Sequence, residues 1–115
     1  MNDFQSAGKI QAQIRKIIYD NFNDPEKKFT NDEIFEILKN NENFNPSYTI
    51  DDMEKYFLDL CDSGLVRNIA QNFTTIWFKL FDFVEKIQCK SCNEEIYLGI
   101  SESRICTNTA CKATI

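Results

Sequence analysis

Between Ala7 and Phe22 the apolar residues Ile10, Ile14, Ile17, Ile18 and Tyr19 or Phe22 recur every three or four positions. That is the spacing of one buried helix face, and Asn23, Asp24 and Pro25 close it. Lys28 and Phe29 make a short extended step before Thr30. Thr30-Asn31-Asp32-Glu33 then reads as a capping box, hydroxyl and carboxylate each serving the other residue's free amide. The helix it opens buries Ile34, Phe35, Leu38 and Ile37, and ends in the Asn-rich run from Asn40 to Asn45, with Pro46 and Ser47 in the same turn. Thr49-Ile50-Asp51-Asp52 repeats the capping pattern, and Ile50, Met53, Phe57, Leu60 and Cys61 form the stripe of a third helix. Gly64 is placed to end that helix in the left-handed conformation. Beyond it the period drops from 3.6 to 2. Leu65–Ile69 and Thr74–Asp82 read as two strands, with Ala70–Phe73 as the hairpin tip.

Helix, short strand, helix, helix, strand, strand is the order of a winged helix-turn-helix. The expectation is therefore an α+β chain: a winged helix over residues 1–83, followed by a small C-terminal zinc ribbon over 84–115. The ribbon is read from the cysteines. Cys89 and Cys92 form C-x2-C and, after thirteen intervening residues, Cys106 and Cys111 form C-x4-C. Two such knuckles brought together by a hairpin complete a tetrahedral four-sulfur site for one structural Zn2+ per chain. EEIYLGI, from Glu94 to Ile100, supplies a strand between them. About 30 residues are too few for an independent core without such a staple. Disulfides would need an exported chain, and nothing in the sequence points to one. An iron–sulfur centre takes the same ligands, but rubredoxin-type sites repeat C-x2-C-G, which is missing here. A redox dithiol at Cys89 and Cys92 would leave Cys106 and Cys111 unexplained. Cys61, on the third helix's apolar stripe, is read as a core residue.

Four protein sulfurs leave no open metal position for water, the chain has no histidine, and no glycine-rich phosphate loop or nucleophile triad is present. An enzyme is not expected, nor is a small-molecule substrate. MNDFQSAGKI lacks the layout of a secretion signal, and no apolar run approaches a membrane span. The reading is a soluble, intracellular protein, cytoplasmic or nucleoid-associated. With 43% hydrophobic residues and ten phenylalanines it can hold a packed core.

The formal charge is −5, and all of it falls in residues 1–84, which carry nine basic and fourteen acidic side chains. Such a chain lacks the broad positive field that gives proteins sequence-independent affinity for nucleic acid. The solvent face of the third helix offers Asp51, Asp52, Glu54, Asp59 and Asp62 against Lys55. A groove-reading helix needs Arg, Lys, Asn or Gln there. Small basic patches remain at Lys9, Arg15 and Lys16, at Lys27 and Lys28, and at Arg67 and Lys79; these are the candidate nucleic-acid contacts. The second hairpin strand, TTIWFKLFDF, is apolar on both faces. Ile76, Phe78 and Leu80 can face the helices, which turns Trp77, Lys79, Phe81 and Phe83 the other way. Trp77, Phe81 and Phe83 are therefore candidate partner-binding residues. Phe83 is expected to lie beneath the ribbon, and Trp77 beneath the ribbon, a second copy of the chain or another protein.

Tyr48–Asp82, with LDLCDSGLVRNI, and the ribbon CKSC…CTNTAC resemble the winged-helix-plus-zinc-ribbon proteins of archaeal and eukaryotic transcription. The layout is similar to that of the alpha subunit of archaeal transcription factor E. Two features depart from that pattern: only Phe83–Gln88 separates the two parts, where that factor has a long helical linker, and the second knuckle is C-x4-C rather than C-x2-C. The resemblance implies a non-enzymatic module of the transcription or DNA-handling machinery, working mainly through protein–protein contacts or as a homodimer. The alternative is a sequence-specific DNA-binding regulator.

Overall fold

The computed structural model describes residues 7–41, 44–107 and 111–115, with the side chains of 7–9 left aside. Its elements run α1 (Ala7–Asn21), β1 (Lys28–Thr30), α2 (Asn31–Lys39), a 3-10 turn (Asp51–Met53), α3 (Glu54–Ser63), β2 (Val66–Asn72), β3 (Thr75–Leu80), β4 (Val84–Gln88) and β5 (Glu95–Gly99). The chain is α+β, with two antiparallel sheets: β3 lies between β1 and β2, and β4 pairs with β5.

The periodic residues are the ones buried. Ile10, Ile14, Ile17 and Ile18 of α1, Ile34, Phe35 and Leu38 of α2, and Met53, Tyr56, Phe57 and Leu60 around α3 form one cluster with Phe29, Ile76, Phe78 and Leu80 from the sheet. Phe78 stands at its centre, its ring 5.8 Å from Phe29 and 5.9 Å from Phe57, centroid to centroid. As the alternation predicts, Ile76, Phe78 and Leu80 all face inward.

Caps fix the helix ends. Thr30 Oγ accepts from the Glu33 amide at 3.1 Å while Glu33 Oε1 accepts from the Thr30 amide at 3.0 Å. Thr30→Ala removes one half of this box and is expected to cost about 1 kcal/mol, measured by denaturant titration. Thr49 and Asp52 make the same reciprocal bonds, at 2.7 and 3.4 Å, but open the 3-10 turn rather than entering α3 directly. Gly64 ends α3 at φ +88°, a backbone angle that disfavours any side chain, and its amide donates to the Cys61 carbonyl at 3.2 Å.

Two asparagines act as surrogate backbone. Asn31 donates to the Thr74 carbonyl and accepts from the Ile76 amide, both at 2.8 Å. Asn23 brackets Val84 in the same way, at 2.9 and 2.7 Å.

Three expectations are corrected. Pairing in the hairpin runs on to Asn72 opposite Thr75, so the tip is Phe73–Thr74, and a register shift between Asn68 and Ala70 leaves Ile69 as a bulge. Residues 84–88 of the short connection form β4, because their backbone finds partners along the whole of β5, from Val84 opposite Gly99 to Gln88 opposite Glu95. Phe83 is not covered. It is 50% exposed and Phe81 is 56% exposed, because β4 and β5 dock on α1 instead, where Tyr97 meets Tyr19 with ring centroids 5.2 Å apart. Val84 and Tyr97 belong to the main core, so packing continues across the 83/84 boundary.

Candidate metal centre

β4 ends at Gln88, and the chain turns back through Cys89 and Cys92 into β5. The Cys89 amide donates to the Glu94 carbonyl at 2.9 Å, and Asn93 closes the knuckle with φ +65°. The second knuckle is held by a bridge between Ile105 and Thr114 and by the Cys106 amide donating to Ala113 at 2.8 Å. Lys112 takes φ +55° there.

These turns bring all four sulfurs within 4.8 Å of one another, with Cys89–Cys111 and Cys92–Cys106 each at 3.7 Å. Four sulfurs about 2.3 Å from a common ion lie about 3.8 Å apart at the corners of a tetrahedron. A disulfide requires about 2.05 Å, and all four cysteines are free. The donor set and its spacing therefore fit one metal ion. The backbone supports thiolates: the Cys92 amide, opposed by burial and joined by the Ser91 amide, lowers the Cys89 thiol to about 7. At Cys111 the Ala113 amide acts in the same sense, but burial and the Cys89 and Cys92 sulfurs raise it overall. A bound cation reverses such sulfur–sulfur repulsion. Cys61 stands apart on α3, half-buried against the core, its thiol raised by burial and by Asp62.

The remaining candidates separate. Arg15 is buried and is not available as a nucleic-acid contact. It forms a two-pronged ion pair with Glu102 at 2.8 and 2.9 Å, and also donates to the Tyr97 carbonyl at 2.8 Å and to Ser63 Oγ at 3.3 Å. Glu102 in turn accepts from the Gly99 amide at 2.8 Å. Nothing in the sequence singles out Glu102, since a single acid in a loop carries no signal of its own. Lys16 is exposed and paired with Asp20 at 2.7 Å. Lys27 is exposed, and the Lys9 side chain lies outside the described residues.

Lys28, Lys79 and Arg67 come together. Lys79 lies directly opposite Lys28 on one side and Arg67 on the other. Trp77 is half-buried beside them, with the Lys28 ammonium 5.5 Å from its ring centroid. The acidic residues of α3 and its entry turn, Asp51, Asp52, Glu54, Asp59 and Asp62, are all exposed, with Leu58 44% exposed among them. No described helix is long and apolar enough to cross a membrane.

Comparison with protein-family models, with curated proteins and with solved structures finds no match to this chain.

Proposed function

We propose that this chain is a non-enzymatic winged-helix and zinc-ribbon module of the transcription or DNA-handling machinery, acting inside the cell mainly through protein–protein contacts. Support for the winged helix comes from the element order and from a sheet in which β1 joins the hairpin through β3. Support for zinc comes from an all-sulfur donor set whose four atoms lie within 4.8 Å of one another, a set that on a four-coordinate ion leaves no position for a reacting water. The observation that carries the interaction role is the exposed face of α3. It combines five carboxylates with an uncovered Leu58, a surface suited to a basic protein partner with an apolar contact at its centre. The same face opposes the alternative of a duplex-reading regulator, since its carboxylates would meet phosphate at close range.

The test is capture of the tagged chain's partners after nuclease treatment, beside a variant carrying Asp59→Lys and Asp62→Lys. The expected result is a nuclease-resistant protein partner lost in the variant, and weak, salt-sensitive binding of random duplex at physiological salt. Sub-micromolar duplex binding that collapses on Lys55→Glu would assign α3 to DNA instead.

A further inference from the structure

We propose that the outer face of the three-stranded sheet binds single-stranded nucleic acid, with Lys28, Lys79 and Arg67 on the phosphates and Trp77 stacked on a base. In an acidic protein this sheet has a different charge from its surroundings. Its strands, KFT, VRNIAQN and TIWFKL, contain no Asp or Glu. Antiparallel neighbours are about 4.8 Å apart, so Lys28, Lys79 and Arg67 set three positive charges in a row about 10 Å long. Like charges directly opposite each other on a sheet are destabilising. Arg15, Lys16, Lys39, Lys86 and Arg104 each have a carboxylate partner; Lys28, Lys79 and Arg67 have none among the described residues, as is also true of Lys27, Lys55, Lys90 and Lys112, but only these three stand side by side on one sheet. An anionic ligand laid along the row would relieve that repulsion.

The aromatic residues specify which anion. Trp77 precedes Lys79 by two positions on this face of β3. Phe81, just past the end of β3, is more than half exposed. A cationic row interleaved with aromatic rings is the composition of a strand-binding surface, because every unpaired base offers a π-face for stacking. Duplex bases are already stacked on one another and offer none. The Lys28 ammonium lies over the indole. Its flexible stem allows it to follow a phosphate as a base takes its place. This surface is separate from the acidic α3 face, so the two proposals stand or fall independently.

Trp77 is the protein's only tryptophan and so reports on the site directly. The experiment titrates the full chain with oligothymidylate of about 20 nucleotides, with a duplex of equal length and with poly-glutamate, reading Trp77 fluorescence and oligonucleotide anisotropy. The expected result is quenching by the single strand, with weaker binding of the duplex and none of poly-glutamate. Three phosphate contacts on a single strand give a log–log salt slope of about −2, or about a 20-fold loss of affinity between about 50 and 200 mM salt. Arg67→Glu and Lys79→Glu are each expected to weaken binding and flatten that slope by about 0.7, and Trp77→Ala to weaken it about tenfold or more. If Trp77→Ala fails to fold by circular dichroism, the exposed Arg67→Glu decides. Absence of quenching, duplex or poly-glutamate binding as tight as the single strand, or unchanged affinity in Arg67→Glu overturns the proposal.

Discussion

Stripping the metal with a chelator, or replacing Cys106 by serine, is expected to unfold residues 84–115 and to lower the melting temperature of the helical half as well. The first effect follows from what residues 84–115 contain. Their own buried set is Ile96 and Leu98 with Cys89 and Cys106, ringed by half-buried Ile87, Cys92, Cys111 and Ala113. Two aliphatic side chains cannot offset the ordering of some thirty residues, at about 1.5 kcal/mol each. A structural zinc in a small all-protein site supplies about 10–16 kcal/mol of apparent binding energy, and folding of the site and binding are one equilibrium. The second effect follows from the docking. Val84 and Tyr97 sit in the helical core, so melting the ribbon uncovers part of it. Elemental analysis should return one zinc per chain. Thiol-reactive dye should find Cys61 alone in the loaded protein and five thiols after chelation. Iron in place of zinc, or an unchanged melt and unchanged dye count after chelation, would refute the assignment.

The cysteine site was legible because ligand spacing is a local property. C-x2-C and C-x4-C each make a knuckle, and only their meeting depends on the rest of the fold. Helix positions were legible for the same reason. Thr30 and Glu33 cap each other across three residues, and the isoleucines of α1 repeat at helical spacing whatever they pack against. What the sequence hid is relational. Arg15 and Glu102 are 87 positions apart, and nothing near either residue marks its partner. Strand β4 reads as a connection because VEKIQ lacks a full alternation, and its pairing with β5 is invisible in the local sequence. The basic row lay in three separate segments. Lys28, Arg67 and Lys79 become neighbours only through the register of β1, β3 and β2. Chain proximity points to Phe83 as the residue covered by the C-terminal sheet, but where that sheet docks is set by Tyr97 meeting Tyr19 on α1.

Arg15→Ala is expected to destabilise the protein by about 3–5 kcal/mol, comparable to removing a large core side chain, although arginine is ordinarily a surface residue. The guanidinium ties α1 to the ribbon loop through Glu102 and the Tyr97 carbonyl, and to the end of α3 through Ser63. Both side chains of the pair are buried, with relative exposures of 8% and 3%. Truncating Arg15 leaves the Glu102 carboxylate in the interior with only the Gly99 amide and neighbouring dipoles to hold its charge. Arg15→Met with Glu102→Leu should cost far less than the sum of the single changes, because the pair's attraction is largely offset by its own desolvation. The pair also fixes a pH dependence. Burial alone would raise the Glu102 carboxyl, but hydrogen bonds and attraction from Arg15, with the Gly99 amide, bring it below the ordinary carboxylate value. A carboxyl depressed on folding contributes stability above its unfolded value and loses it as pH falls through the folded one. Wild-type stability should therefore decline as pH drops below about 4, and that part of the decline should vanish in Glu102→Gln. Denaturant titrations of both proteins across that range measure it. Parallel curves, or an Arg15→Ala variant within about 0.5 kcal/mol of wild type, would mean the ribbon is held to α1 by Tyr97 and Val84 alone.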